Sequence, residues 1–305
     1  MKKSTTTLKR ALKYPLELMS ARWGEQTRRG PPRLWVLMYH RILPRTDARY
    51  ATEEPGMIVT PETFHDHLKQ LKELFTILPL SEWIMRHQQG QTLPDKACAI
   101  TFDDGWADNY QYAMPLIKKE QVPVTLFAVS EMIGTRRRFW PNRIAHLLDK
   151  ADPQQLAALN WLEVDYQSII TARKLGSKHL AEYISQVINH LKKHSDEQIT
   201  LWATLAEREL SIINETNDTL MTWHQLQAMS DSGLVEIGSH TCNHYRLRAG
   251  LAEATIADEI INSQKQLQEK LNKQFYQAVF LYRFPHIIPT ERARYYLPQC
   301  IECNE

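Results

Sequence analysis

The sequence predicts an α/β protein built around a parallel sheet. Apolar, strand-like stretches alternate with stretches whose apolar residues recur at helical spacing, which is typical of parallel strands joined by right-handed crossovers. The strand-like stretches are continuously apolar, as expected for strands that are covered on both faces. The length of 305 residues allows one large α/β domain or a domain that carries an insertion.

The alternation begins after Pro32. A strand is predicted within 33–42, and a helix follows Thr60, the expected N-cap, with Pro61 at its first position. The apolar residues of this helix recur at helical spacing: Phe64, Leu68, Leu71, Leu74 and Phe75. Further strands are predicted at 76–80, 97–105 and 122–130, and the helices between them end near His87 and Gln121.

Strand signals vanish between about residues 134 and 222. Helical stretches rich in Gln, Lys, Glu and Leu replace them, and we interpret this segment as a helical insertion between consecutive core strands. The aromatic residues at its start allow two interpretations: Trp140 and its neighbours line a sugar-binding site, or they pack within the insertion.

The alternation of strand-like and helical stretches resumes after the insertion. A helix is predicted at 222–233, a strand at 234–240, a long helix at 252–271, a strand at 275–285 and a short helix at 290–297. We therefore predict a basic N-terminal arm at residues 1–30 and a single domain at residues 31–305 that contains the insertion at about 134–222.

The composition limits the kinds of partner. A net charge of +2 gives no strong field that would favour nucleic acid, and four scattered cysteines are too few for a disulfide framework. No stretch approaches the roughly 18 apolar residues of a membrane span, and the N-terminus lacks the apolar core of a secretion signal. We expect a cytoplasmic protein without a transmembrane segment. Its basic arm is either solvated or in weak peripheral contact with the inner face of the membrane.

Two adjacent carboxylates follow the predicted strand in "AITFDDGW". Side chains of a regular strand alternate between faces, so Asp103 and Asp104 would point in opposite directions. Gly105 permits a sharp turn, after which both acids can lean over the same strand end, where parallel sheets place their chemistry. The alternative is that one acid caps the following helix and the other is solvated.

A histidine pair follows a later strand in "EIGSHTCNH". His240 and His244 are four residues apart, a spacing that in a loop can bring two imidazoles to one ion. Asp104 would complete a set of two histidines and one carboxylate, with open positions for water and substrate. Both motifs would project from the same edge of a parallel sheet or barrel.

Together, "TFDDG" and "GSHTCNH" resemble the polysaccharide deacetylases of the NodB-homology type, carbohydrate esterase family four. The stretches "MYHRI" and "PETFHDHLKQL" match the same group. The resemblance runs from about Arg33 to Pro285 and is interrupted by the predicted helical insertion. It implies a distorted (β/α) barrel with fewer strands than a TIM barrel. It also implies a metal-dependent hydrolase that removes N-acetyl groups from an amino-sugar glycan or a lipid-linked sugar precursor.

The resemblance assigns roles to the residues that match the family's motifs. Asp103 is the expected general base, and Arg283 matches an arginine that braces it. His40 is expected to line the substrate groove, unless local hydrogen bonds account for it. The expected cofactor is a divalent metal, with zinc the first choice, and its expected ligands are Asp104, His240 and His244.

The resemblance ends near the C-terminus. "YRFPH" supplies Arg283 and Pro285, but the residues after it do not follow the family's pattern, and the late strand with a histidine that protonates the leaving amine has no match. We therefore expect a barrel that is incomplete at the C-terminus. Either the tail is truncated or altered, or another group such as His286 serves as the acid.

Two other functions stay open at this point. A catalytically impaired carbohydrate-binding or scaffold protein could keep the metal site without the acid. An unrelated metal hydrolase could act on amides or phosphoesters, although phosphoester chemistry would favour more carboxylates that bridge metals.

Overall fold

The computed structural model describes residues 33–51, 53–212, 220–247 and 251–273. The compact unit that holds the described elements begins at Leu34. At its centre is a five-stranded sheet in which every observed pairing is parallel, so the predicted α/β class is confirmed. The strands of this sheet are β1 Leu34–Tyr39, β4 Thr76–Ile77, β5 Ala97–Phe102, β6 Val124–Ala128 and β7 Val235–Ser239.

The strand order is β1–β5–β6–β7, with the short β4 beside the start of β5. β1 pairs with β5 from Leu34↔Ala97 to Tyr39↔Phe102, and β6 joins the other side of β5 at Thr101↔Thr125. The carboxyl ends of these strands therefore meet at one edge. Within the described ranges the strands do not form a closed ring.

The predicted first strand is shorter than expected. It ends at Tyr39, and the next two residues form β2 Arg41–Ile42, which pairs in parallel with β3 Ile58–Val59 in a separate small sheet. His40 lies between the two strands, at the carboxyl edge of the main sheet.

Helices follow most of the strands, as the alternation predicted. Their bounds are α1 Pro61–Leu74, α2 Leu80–Gln88, α3 Met114–Glu120, α4 Trp140–Lys150, α5 Pro153–Ala158, α6 Tyr166–Leu175, α7 Ser177–Leu191, α8 Asp196–Glu209, α9 Trp223–Ser230, α10 Glu253–Ala257 and α11 Ser263–Leu271. A π-helical turn at Asn109–Ala113 precedes α3, and another at Asp258–Asn262 joins α10 to α11.

Helix α1 begins as the sequence predicted. The Thr60 hydroxyl accepts a hydrogen bond from the Thr63 backbone N–H, which satisfies one of the donors left free at a helix start. Phe64, Leu68 and Leu71 are buried beneath the sheet, but the expected core residue Leu74 is 59% exposed. It lies in the last turn of the helix, where the apolar stripe leaves the core.

Two large apolar cores and a smaller cluster around Trp83 of α2 lie in the described part of this unit. The sheet core is formed by the helices packed on the strands, and its fully buried members include Phe64, Phe102, Leu126 and Leu267. The helices between β6 and β7, residues 140–209, bury side chains of their own, among them Ile144, Leu148, Ile184 and Leu191. We call residues 140–209 the helical segment.

Several predictions concern residues outside the described ranges. They are the basic arm, the strand at 275–285, the helix at 290–297 and the residues Arg283, Pro285 and His286. Of the described cysteines, Cys98 and Cys242 are free and buried, and burial raises the pKa of each thiol to about 11. In the part of the chain that the structure describes, no helix has the length and hydrophobicity needed to cross a bilayer.

Candidate active site

The two adjacent acids follow β5 directly and do not continue its strand geometry. Asp104 has a φ of 75° and Gly105 a φ of 88°, so the backbone turns through the left-handed region immediately after Asp103. An added Cβ at Gly105 would also lie 2.9 Å from Cδ1 of Ile133, so the Ile133 side chain would have to shift to admit it. This turn is the local cause of both carboxylates lying at the strand end, as the sequence predicted.

The histidine pair lies in the loop that follows β7. The backbone N–H of His240 donates to the Ala128 carbonyl at 2.9 Å, which anchors the start of the loop to the end of β6. Thr241 and His244 then adopt φ values of 68° and 59°, a conformation that L residues with side chains rarely take. These two left-handed residues fold the loop back, so that both imidazoles face the same side.

The structure brings Asp104, His240 and His244 together. Oδ1 of Asp104 lies 3.3 Å from Nε2 of His240 and 3.3 Å from Nε2 of His244. One potential ligand atom from each residue can be chosen so that all three lie within 4.8 Å of one another. Asp104 and His240 are buried, whereas His244 is partly exposed to the cavity described below.

These residues fit a metal ion. Oδ1 of Asp104 is buried and accepts no hydrogen bond, while Oδ2 accepts one from Nε1 of Trp106 at 2.9 Å. An unsatisfied buried carboxylate oxygen is costly, and a cation at this position would satisfy it. Two imidazoles and one carboxylate with open positions form a common ligand set for zinc and other transition metals.

The charges of the three side chains are coupled. Burial alone would raise the pKa of Asp104, but its contacts with His240 and His244 outweigh burial and hold that pKa well below its ordinary value. Burial lowers the pKa of His240, despite the nearby carboxylates. Burial also acts to lower the pKa of His244, but the Asp104 carboxylate outweighs it and the pKa is raised. The shifts of Asp104 and His240 favour the forms that bind a metal, an ionised carboxylate and a neutral imidazole, whereas the shift of His244 favours its protonated form.

Asp103 is completely buried at the same strand end. Its backbone N–H donates to the Tyr39 carbonyl at 3.0 Å, which extends the pairing of β1 and β5 by one residue. Nε2 of His40 lies 3.4 Å from Oδ2 of Asp103, so the structure brings these two predicted site residues together.

Behind the acids lies a buried ionic network that the sequence analysis missed. Arg41 is fully buried and donates from Nε to Asp108 at 2.9 Å and from Nη1 to Glu53 at 2.8 Å. Its guanidinium carbon lies 3.9 Å from the ring centroid of Trp106, the residue that donates to Asp104. The sequence shows an arginine directly after Tyr39 and His40, which could have indicated a charged group near the site. Only the fold shows that its acidic partners lie on other segments of the chain.

A cavity of about 200 Å³ adjoins Asp104 and His244. His40, Asp104 and His244 line it on the side of the sheet edge, and the helical segment contributes Trp140 and Ile188. Trp140 and Phe139 are both more than nine-tenths buried, so they pack in the core and also border the cavity. Packing in the core is therefore compatible with the other interpretation, a sugar-binding site, because the same side chains border the cavity.

Comparisons with known proteins match this chain with polysaccharide deacetylases. A family model described as polysaccharide deacetylase matches residues 90–300. The putative polysaccharide deacetylase YxkH of Bacillus subtilis (strain 168) is 28% identical over 138 residues, which cover 44% of this chain and 46% of that protein. The match with this curated relative thus spans about half of its length.

Solved structures give weaker similarities. IcaB from Ammonifex degensii is 17% identical, with a TM-score of 0.45 over 79% of this chain and 71% of that chain. The Streptococcus pyogenes deacetylase PplD, solved in complex with acetate, is 17% identical, with a TM-score of 0.47 over 81% of this chain and 72% of that chain. The family model covers more than half of the chain and includes both motifs, so this chain belongs to the polysaccharide deacetylase family.

Proposed function

We propose that this protein is a metal-dependent hydrolase that removes N-acetyl groups from an amino-sugar glycan or from a lipid-linked sugar precursor. One observation carries the proposal: the buried, unsatisfied Asp104 oxygen faces two imidazoles beside a cavity. Membership of the polysaccharide deacetylase family supports the same reaction.

In this proposal Asp104, His240 and His244 hold a divalent ion, with zinc the expected one. When bound, such an ion polarises the acetyl carbonyl and lowers the pKa of a water. The low pKa of Asp104 supports a ligand role because this carboxylate stays ionised over the physiological range.

Asp103 is the proposed general base, which accepts a proton from the attacking water. Its position next to Asp104 at the end of β5, 3.4 Å from the cavity-lining His40, supports this role, because a general base must lie within reach of the attacking water. His40 and Trp140 line the cavity and are proposed to contact the sugar. Arg283, outside the described residues, stays the predicted brace for the base. The cytoplasmic location also stays a prediction.

The first test measures bound metal in the purified protein, which requires no knowledge of the substrate. We expect about one ion per chain, and we expect its loss in Asp104→Ala and in His240→Ala. His65→Ala is the matched control, because His65 pairs with Glu120 at the end of α3 and neither residue lines the cavity. A folded wild-type chain that binds no metal would overturn the proposal.

The second test separates the base from the metal ligands. Asp103→Asn should keep its metal while the rate of acetate release from N-acetylated oligosaccharides falls by about 10²- to 10⁴-fold, the usual contribution of a general base. Unchanged acetate release in this variant would contradict the mechanism. A wild-type chain that binds metal and sugar but releases no acetate from any acetylated substrate would instead favour the carbohydrate-binding alternative.

A further inference from the structure

The loop that carries His244 contacts the helical segment directly after the histidine. Asp196, at the first position of α8, accepts hydrogen bonds from the backbone N–H of Arg246 at 2.9 Å and from its Nε at 2.6 Å. The same carboxylate accepts a third bond from Nε1 of Trp140 at 3.0 Å. Asp196, at the start of α8, thus joins two parts of the chain that border the cavity, the His244 loop and the start of α4.

The other two guanidinium nitrogens of Arg246 also donate to the helical segment. Its Nη1 donates to the Lys192 carbonyl at 2.9 Å and its Nη2 to the His194 carbonyl at 2.7 Å, both in the turn between α7 and α8. The hydroxyl of Tyr245, the residue between His244 and Arg246, donates to Glu197. All three guanidinium nitrogens are therefore bound to the helical segment.

Charge and burial make these contacts strong. The Asp196 side chain is 13% exposed and that of Arg246 is 27% exposed, so the ion pair is partly shielded from water. A carboxylate in the first turn of a helix is also favoured by the helix dipole. Bonds between charged groups are roughly twice as strong as neutral ones.

The position of His244 depends on contacts outside strand β7. His244 has a φ of 59° and lies beyond the end of β7, so the described hydrogen bonds of the strand do not set its position. Glu259 anchors the other half of the loop, where it accepts from the backbone N–H groups of Cys242 at 2.8 Å and Asn243 at 3.0 Å. The bonds of Asp196 to Arg246 are the corresponding anchor on the far side of His244.

We propose that Asp196 and Arg246 are positioning residues that hold His244 in its metal-binding orientation, so that the helical segment sets the metal affinity of a site at the edge of the sheet. This inference rests on the proposed metal-dependent function. It gives the helical segment a role beyond covering the cavity.

The test measures the dissociation constant for Co²⁺ by competition with a chelator, together with the visible absorption spectrum of the bound ion. Asp196→Asn removes the charge and leaves only one carbonyl oxygen for three donors. We expect a rise in the dissociation constant of about tenfold, as for other residues that orient metal ligands, and a changed spectrum. Arg246→Gln breaks the same pair from the other side and should have the same effect.

The matched control is Glu207→Gln. Glu207 accepts two bonds from Arg143, at 3.0 Å and 2.7 Å, so this variant also loses a carboxylate–guanidinium pair of the helical segment without touching the His244 loop. Its dissociation constant should stay within about twofold of that of the wild type. The effect of the double variant Asp196→Asn/Arg246→Gln should be smaller than the two single effects combined, because both single variants break the bond between Asp196 and the Arg246 side chain.

The outcomes separate this inference from the proposed function. A wild-type chain that binds Co²⁺ with the same affinity and spectrum as folded Asp196→Asn and Arg246→Gln would overturn the inference alone. Equal weakening by Glu207→Gln would also overturn it, because the effect would then be a general loss of stability in the helical segment. A folded wild-type chain that binds no ion would overturn the proposed function.

Discussion

At the scale of single residues, Trp106 connects the candidate metal site to the ionic network behind it. Its indole N–H donates to Oδ2 of Asp104, which leaves only Oδ1 facing the histidines. The face of the ring meets the buried guanidinium of Arg41, and the ring also makes a T-shaped contact with Phe139. Trp106 therefore fixes the orientation of the carboxylate.

Trp106→Phe keeps most of the packing and removes only the donor to Asp104. We expect the dissociation constant for Zn²⁺ to rise by roughly tenfold, because the carboxylate is then free to rotate. Trp83→Phe is the control, since it makes the same substitution in a separate apolar cluster on α2. An unchanged Zn²⁺ affinity in Trp106→Phe would show that the hydrogen bond does not orient the ligand.

At the scale of elements, the close packing of β6 and β7 sets the spacing between the two halves of the site. Gly238 lies in β7 next to Phe127 of β6, and a Cβ at Gly238 would lie 2.7 Å from Cδ1 of that ring. Only glycine lets the strand that leads to His240 approach the phenyl ring so closely.

Gly238→Ala should lower the free energy of unfolding by about 1–3 kcal/mol, because the ring or the strand must shift to admit a methyl group. Urea denaturation measures this change. Gly56→Ala is the control, since an added Cβ there meets nothing within 4 Å, and its effect should stay within about 0.5 kcal/mol. Equal stability of the two variants would contradict the predicted close packing.

At the scale of the whole molecule, the proposed metal ion would join parts of the chain that are far apart in sequence. Asp104 follows β5 and the histidines follow β7, with the helical segment between them. An ion that binds only when these parts are assembled stabilises the folded state by mass action.

Saturating Zn²⁺ should therefore raise the melting temperature of the wild-type protein. At a free concentration about 100 times the dissociation constant, the expected stabilisation is about 2.7 kcal/mol. His240→Ala should show no such rise, and addition of a chelator should reverse the effect in the wild type. A melting temperature that does not respond to Zn²⁺ in the wild type would contradict a site that links the two motifs.

The sequence by itself determined the α/β class, the cap of α1 and the two motifs, because these depend on local signals. Continuous apolar runs indicate buried parallel strands, and Thr60 before Pro61 is a local helix start. Parallel strands have their carboxyl ends at one edge, so the order of residues alone is enough to assign acids after one strand and histidines after another to a single site.

Only the tertiary structure decided which side chains surround that site. Several side chains around the site meet partners that are distant in sequence, and no local pattern marks such pairs. They are Arg41, Trp106, Asp196, Arg246 and Glu259. The left-handed φ values of Asp104 and His244 likewise appear only in the structure, because non-glycine residues adopt that conformation too rarely for the sequence to indicate it. Spacing along the chain could identify the candidate ligands, but their orientation depends on bonds from the rest of the fold.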